Sequence, residues 1–179
     1  TINASLTYDP NSDAGATTAG GPGATTASGT AYTLQLAHES GLEIGGGHES
    51  VTGSNVSTAG LSGQDQETST GYVKFASGPI SVGYQESYQD AMNGAEDKEG
   101  EAWGVAYTSG DISVSYGESE HTNHGLSGST QITTSMDSIQ VAYTMGAMTI
   151  SAATFETSNA AGTTGRVYEE NELAVSFAF

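Results

Sequence analysis

Two short segments carry side chains whose types and spacing are compatible with metal binding. The first, residues 9–15, reads D-P-N-S-D-A-G, so that Asp9, Asn11 and Asp13 place oxygen ligands at alternate positions, as calcium loops do. Its glycine stands one position later than in an EF-hand loop and no glutamate closes it, which favours an ordinary acidic turn after the first strand. Ca²⁺ at acidic loops is the only cofactor that the sequence leaves open.

The second segment, E-H-T-N-H, brings His121 and His124 near Glu118 and Glu120. Imidazole and carboxylate groups are zinc ligands, but the segment falls in a polar connection, which favours a solvated loop over a structural metal site. Catalysis by a histidine or an activated nucleophile requires a third group that orients the base. No such arrangement is identifiable in the sequence, so no catalytic residue is predicted.

Acidic residues outnumber basic residues by a wide margin. The 179 residues include 21 Asp and Glu against three Lys and Arg, which gives a formal net charge of −18. Nucleic acids and anionic lipid headgroups both attract clustered cations, so neither is an expected partner. The chain has no cysteine, which excludes disulfides and thiolate metal sites, and no apolar run approaches the roughly 18 residues of a membrane helix.

The elements that must position any site are β-strands. Apolar and polar residues alternate strictly in many segments; Trp103, Val105 and Tyr107, for example, alternate with small polar neighbours. The length fits one domain, residues 1–179, and the start at Thr1 predicts a processed product or a piece of a longer chain. The ten predicted strands are 2–8, 31–38, 42–49, 70–76, 80–87, 101–108, 112–119, 137–144, 148–156 and 171–179.

Four similar hairpins organise these strands. Their turn glycines, Gly41, Gly78, Gly110 and Gly146, are spaced by 37, 32 and 36 residues, so one hairpin and one connection form the repeat. A two-residue loop ending in each of the last three glycines, and a three-residue loop over 39–41, bring apolar residues opposite each other. The predicted partners are Trp103 with Tyr116, Val105 with Val114, Phe75 with Ile80, Tyr143 with Met148, and Leu36 with Ile44.

Long polar connections alternate with these short turns. They cover 9–29, 51–69, 88–100, 120–136 and 158–170, so short turns lie at one end of the sheet and long connections at the other. Together with a thin apolar face and a polar face that is poor in lysine, this asymmetry predicts an antiparallel up-and-down transmembrane β-barrel. The aromatic residues predict two interfacial belts: Phe75, Tyr107, Tyr143, Phe177 and Phe179 near the short turns, and Tyr8, Tyr32, Tyr84, Trp103 and Tyr116 near the long connections.

Two motifs resemble a known family. The terminal segment ELAVSFAF, with Phe179 as its last residue, resembles the closing strand of Gram-negative outer-membrane proteins. The hairpin motif SGxISVxY and the acidic, glycine-rich connections resemble general diffusion porins of the alphaproteobacterial type. This resemblance implies location in the outer membrane, assembly through the barrel-assembly machinery with Phe179 as the signal, and a homotrimer.

The resemblance also implies a sixteen-stranded barrel, of which this chain supplies ten strands. We therefore expect the C-terminal part of a porin; a complete ten-stranded barrel is the alternative, and both numbers are even, as in bacterial barrels. In this interpretation the first strands and the constriction loop have no counterpart here.

Strand parity predicts which residues line the lumen. The predicted pore-lining residues are Glu43, Glu49, Lys74, Ser81, Gln85, Ser113, Ser115, Gln140, Thr149, Ser151 and Glu172. Lys74 is the only cation in this set, so the pore is expected to prefer cations. The expected function is passive diffusion of small hydrophilic solutes and ions, without enzymatic activity. The alternatives are an outer-membrane anchor or surface-contact protein that acts through its acidic loops, and a ten-stranded outer-membrane protease.

Overall fold

Ten antiparallel strands follow one another along the chain, and each is hydrogen-bonded to its sequence neighbours in the order β1 to β10. The computed structural model describes residues 1–12, 27–52, 65–90, 97–124 and 131–178. A single short 3₁₀ helix, Ala160–Gly162, interrupts the described strands. The strands are β1 Ile2–Ser12, β2 Ala27–Ala37, β3 Leu42–Thr52, β4 Asp65–Ser77, β5 Ile80–Asp90, β6 Asp97–Ser109, β7 Ile112–His124, β8 Ile132–Met145, β9 Met148–Ser158 and β10 Val167–Phe177.

The ten-strand, up-and-down antiparallel prediction is confirmed, but most strands continue into segments that were predicted as connections. β6 begins at Asp97 instead of 101, and β7 continues to His124 instead of 119. Both faces of these extensions are rich in polar residues, so period-two alternation disappears from the sequence while the backbone ladder continues. Pairing of the backbone does not require an apolar face, which is why the sequence pattern underestimates strand length.

Three of the four predicted hairpin registers are wrong by two residues. Ser109 faces Ile112, so the loop is Gly110–Asp111, and Val105 faces Tyr116 instead of Val114. The glycine takes the first loop position with φ of 58°, and the second residue has no positive φ, which is the pattern of a type II′ turn. The prediction placed glycine second. A shift of two residues preserves the face of every side chain.

The same shift occurs at the other two-residue loops, where Phe75 faces Val82 and Tyr143 faces Ile150. The three-residue loop at 39–41 is confirmed, since Leu36 faces Ile44 and the His38 amide donates to the Leu42 carbonyl over 2.8 Å. There Gly41 has φ of 89° at the third loop position.

The sheet is one layer thick in the described residues. Ala160 is their only buried apolar side chain, and no large side chain is fully buried. Strands β1 and β10 are not paired with each other, so the sheet is open. Among the described residues no helix is both long enough and apolar enough to cross a membrane.

Register sorts the side chains onto two faces. The apolar face is exemplified by one row of cross-strand neighbours: Leu42, Phe75, Val82, Val105, Tyr116 and Ile139. The polar face is exemplified by another row: Ala76, Ser81, Ala106, Ser115, Gln140, Ala153 and Glu172. Each row crosses at least six strands without changing face.

Candidate functional site

The apolar face has no protein layer against it. Val105 is 39% exposed, Val114 is 41% exposed and Val141 is 43% exposed, although each stands between two other apolar residues of its strand's alternating pattern. Soluble monomers rarely expose contiguous apolar patches of more than a few hundred Å², whereas this face continues across all ten strands. The face therefore requires a partner phase or partner molecule that is itself apolar.

Aromatic residues mark the borders of this face. Nine of the ten predicted belt residues, all except Phe179, lie on it: Tyr8, Tyr32, Phe75, Tyr84, Trp103, Tyr107, Tyr116, Tyr143 and Phe177. Phe179 lies outside the described residues. Trp103 and Tyr116 share the face as predicted, but they are diagonal neighbours, with ring centroids 5.3 Å apart, and Trp103 lies directly opposite Glu118.

Carboxylates cap the aromatic residues on the side of the long connections. The Trp103 indole Nε1 donates to Glu118 over 3.2 Å, and the Tyr116 hydroxyl donates to Asp137 over 3.4 Å. The Tyr84 hydroxyl donates to Glu86 in the same way. We call these three pairs the carboxylate rim. Each aromatic ring thus lies on the apolar face, and its polar atom contacts a carboxylate on the side of the long connections. Amphipathic side chains take this arrangement at a boundary between an apolar phase and water.

From the carboxylate rim toward the long connections, like charges lie side by side. Glu86, Glu101 and Glu120 are direct cross-strand neighbours on β5, β6 and β7. Facing carboxylates destabilise a sheet, and water with its counterions reduces that cost. This part of the face is therefore suited to a solvated environment, in contrast to the apolar rows below it.

The opposite face carries every predicted pore-lining residue. All eleven lie on the polar face: Glu43, Glu49, Lys74, Ser81, Gln85, Ser113, Ser115, Gln140, Thr149, Ser151 and Glu172. Strand parity alone was sufficient to group them, because parity is insensitive to the two-residue error in register.

Three polar contacts on this face converge on Glu43. Its Oε1 accepts from the Gln35 side chain and from the Tyr72 hydroxyl, both over 2.7 Å, and lies 3.0 Å from Lys74 Nζ. The Glu43 side chain is 17% exposed, whereas that of Lys74 is 58% exposed. The negative charge is therefore screened by three donors, and the cation is the member of the pair that faces open space.

Gln35 and Tyr72 are absent from the predicted set. The Tyr72 ring covers Gly45, where an added Cβ would lie 2.6 Å from ring atoms. A glycine on one strand thus makes room for the aromatic ring of the next, and the ring brings its hydroxyl to Glu43. The parity of β2 and β4 could have placed both residues on the polar face. In these two segments, however, only the apolar positions were assigned to a face.

A strip of the polar face has no side chains at all. Lys74 faces Gly83 on the next strand, Gly83 faces Gly104, and Gly104 faces Gly117. The rows on either side of this glycine row hold mostly Ser, Ala and Gln. Short side chains leave the space above the sheet open to water, next to the exposed Lys74 ammonium group.

Near the long connections the polar face departs from the prediction in two ways. Lys98 faces Gln89 and Asn123 on this face, so Lys74 is not its only cation. The residues Met136, Phe155 and Tyr168 also lie on this face, toward the upper ends of β8, β9 and β10. Lys98 and Tyr168 fell in segments predicted as connections, where no face was assigned.

The two metal-site candidates do not assemble in the described residues. His121 and His124 stand on β7 instead of in a loop, and their opposite parity places them on opposite faces. His124 Nε2 contacts Glu99 over 2.9 Å. Asp9 and Asn11 belong to β1, not to a turn, and Asp13 lies outside the described residues. Within the described ranges no group of three His, Cys, Asp or Glu has the geometry of a metal site.

Comparison with known proteins leaves the family open. No protein-family model, curated protein or solved structure matches the chain.

Proposed function

We propose that the chain forms part of the wall of an outer-membrane pore through which small hydrophilic solutes and ions diffuse. The observation that carries this proposal is the single-layer sheet with an unpartnered apolar face and a polar face of short side chains. In water this arrangement loses the main driving force of folding, which is burial of apolar surface. In a bilayer the lipid chains cover the apolar face, and the strand ladder satisfies the backbone.

The stagger of the short turns supports a barrel geometry. Leu42, the first residue of β3 after its short turn, faces Phe75. Strand β4 continues for two more residues, to Ser77, before its own short turn begins. The same offset of two residues per hairpin recurs where Ile80 faces Tyr107 and Ile112 faces Tyr143. Each hairpin contains two strands, so the short turns are displaced by one residue per strand. With a rise of about 3.3 Å per residue and a strand spacing of about 4.8 Å, this displacement inclines the line through the short turns by roughly 35° from the perpendicular to the strands. If all short turns lie at one membrane level, the strands tilt by that angle, which is within the range of about 35–45° of transmembrane barrels.

The polar face supplies the lining of a water-filled lumen in this proposal. Its glycine strip and its serine and alanine rows leave room for water, and the charged groups Glu43, Glu49, Glu172, Lys74 and Lys98 are all on this side. In the family that the sequence resembles, such a lining belongs to a sixteen-stranded barrel that forms homotrimers. We extend both features to this protein as part of the proposal, in which six further strands precede β1. The proposal also includes recognition of Phe179 by the barrel-assembly machinery.

Ion conductance in a planar lipid bilayer tests the function directly. We expect discrete conductance steps from the full-length natural protein, and we expect Ser115→Arg on the polar face to change their size more than Val114→Arg on the apolar face. A folded, inserted protein without conductance would contradict the proposal and favour a surface-contact role.

A further inference from the structure

Three bulky side chains lie together on the polar face, near the long connections. They are Met136 on β8, Phe155 on β9 and Tyr168 on β10, and they surround Thr157. We call these three side chains the inner apolar cluster. The polar face of β5, β6 and β7, by contrast, carries no apolar side chain larger than alanine. A lining that served only passive diffusion would not need the cluster.

Register gives the inner apolar cluster the dimensions of one small apolar group. Thr157 faces Met136 on one side and Tyr168 on the other, and Phe155 precedes it by two residues on the same face. With strands about 4.8 Å apart and a rise of about 3.3 Å per residue, the three bulky residues stand roughly 8–10 Å from one another around the smaller Thr157. Met136 is 41% exposed and Tyr168 is 53% exposed, so both retain apolar surface that a bound solute would cover.

The connection before β10 places an arginine beside this cluster. The Arg166 guanidinium lies over the Tyr168 ring, with its carbon 4.7 Å from the ring centroid, and donates to the Tyr168 hydroxyl. The Arg166 amide donates to the Thr163 carbonyl over 3.1 Å, and its carbonyl accepts from the Ala160 amide over 3.0 Å. The contact with Tyr168 uses one of the five N–H donors, and a planar guanidinium group can pair with a carboxylate through two others.

Asn159 attaches this connection to the end of β8. Its Nδ2 donates to the Thr133 carbonyl over 2.9 Å, its Oδ1 accepts from the Gly165 amide over 2.8 Å, and its carbonyl accepts from the Thr134 hydroxyl over 3.0 Å. Because Gly165 directly precedes Arg166, these bonds hold the arginine in place before any ligand binds. Such preorganisation lowers the free-energy cost of binding.

A carboxylate stands on the other side of Tyr168. Glu170 follows Tyr168 by two residues on the same face and lies opposite Phe155 on the neighbouring strand. Neither Arg166 nor Glu170 has an ion-pair partner among the described residues. Opposite charges thus flank the inner apolar cluster, and a ligand with only one charge is repelled by the group of the same sign. A small solute that carries both charges and an apolar group is complementary to all three features.

We propose that the inner apolar cluster, together with Arg166 and Glu170, binds α-amino acids that carry an apolar side chain. The α-carboxylate pairs with the Arg166 guanidinium, the ammonium group pairs with the Glu170 carboxylate, and the side chain covers Thr157. The site is open on one side, so binding is weak and reversible, as a conducting pathway requires. This site depends on the proposed function, because only a water-filled lumen brings such solutes to the polar face.

A series of four solutes tests the site on the natural full-length protein in nonionic micelles at physiological salt, with affinities taken from saturation-transfer NMR titrations. L-Phenylalanine has both charges and a ring, L-phenylalaninamide lacks the carboxylate, N-acetyl-L-phenylalanine lacks the ammonium group, and L-serine lacks the apolar side chain. We expect phenylalanine to bind about tenfold more tightly than each of the other three, because each of them loses one contact. Equal affinity for any of the three, or no binding, would overturn the inference.

Substitutions in and before β10 assign the two charged contacts. Glu170→Gln should weaken phenylalanine binding about tenfold without weakening that of N-acetyl-L-phenylalanine, and Arg166→Gln should weaken it equally without weakening that of the amide. Glu172→Gln removes the same charge from the same face of β10, one step farther from the cluster, and should change neither affinity. If Glu172→Gln weakens phenylalanine binding as much as Glu170→Gln does, net charge governs binding and the inference is wrong. The solute series on the unsubstituted protein does not depend on the folding of any variant.

Conductance separates this inference from the pore itself. Selective phenylalanine binding by a protein without conductance would support the site and refute the pore, whereas a conducting protein that discriminates none of the four solutes would do the reverse. In the conducting protein, added phenylalanine should increase the current noise. Phe155→Ser should abolish that increase, and the matched change Ala153→Ser on the same face of β9 should not. Equal effects of these two substitutions would exclude the inner apolar cluster as the binding site.

Discussion

Substituting arginine at two consecutive positions of β6 separates a lipid-facing sheet from a water-facing one. Val105 stands four residues before the end of the strand at Ser109, which places it roughly 10 Å from the short turns and midway between Ser109 and Glu101, the first carboxylate of β6 on the apolar face. Ala106 follows it on the polar face. The two positions share the strand, the depth and the local pairing, so they differ mainly in the phase that each side chain meets.

The expected cost is large at only one of the two positions. An arginine on the lipid face of a barrel at the bilayer midplane costs about 2–4 kcal/mol, so Val105→Arg should lower the free energy of unfolding in vesicles by that amount. Ala106→Arg faces water in the proposed lumen and should cost no more than about 0.5 kcal/mol. If the face is covered by water instead, Val105 is already 39% exposed, and both variants should stay within that smaller limit.

Urea titration of the protein refolded in vesicles measures this difference, with the mobility of the folded form on gels and tryptophan fluorescence as the readouts. A shift of the midpoint at unchanged slope reports stability alone. Equal midpoints for Val105→Arg and Ala106→Arg would refute the assignment of the apolar face to lipid. A larger cost at Ala106 would indicate that the two faces have been exchanged.

Three further results are expected. Glu43→Gln leaves the Lys74 charge without its partner, so the zero-current potential across a salt gradient should move toward anion preference, whereas Lys74→Gln should move it toward cation preference. If neither substitution changes the potential, the Glu43–Lys74 pair does not govern selectivity. Gly110→Ala should cost roughly 1–2 kcal/mol in urea titrations because its φ is positive, and Gly41→Ala should cost more because its Cβ would also lie 1.8 Å from a backbone oxygen; equal losses would contradict the described loop at 39–41. Desolvation and the neighbouring carboxylates of Asp97 and Glu67 raise the pKa of Asp90, so its ionisation reduces stability as pH rises through that pKa. Asp90→Asn should therefore stabilise the sheet at neutral pH but not at a pH where aspartate is protonated; a pH-independent gain would point to another cause.

The sequence by itself determined the number of strands, their antiparallel order and the face of each side chain. Each of these depends on period-two alternation or on the position of a short turn, and both signals are local. The eleven residues predicted to line a lumen consequently share one face, although three of the four hairpin registers were misjudged. Parity tolerates a shift of two residues, which explains how the faces were right while the partners were wrong.

Only the tertiary structure decided the turn type, the ends of the strands and the partners of Glu43. Serine–glycine and glycine–aspartate loops are both compatible with the segment around Gly110, and the choice depends on the backbone geometry of the paired strands. The upper strand ends are polar on both faces, so they have no alternation to detect. Gln35, Glu43 and Tyr72 come from three different strands, and their contacts arise because register places them side by side and Gly45 leaves room for the Tyr72 ring.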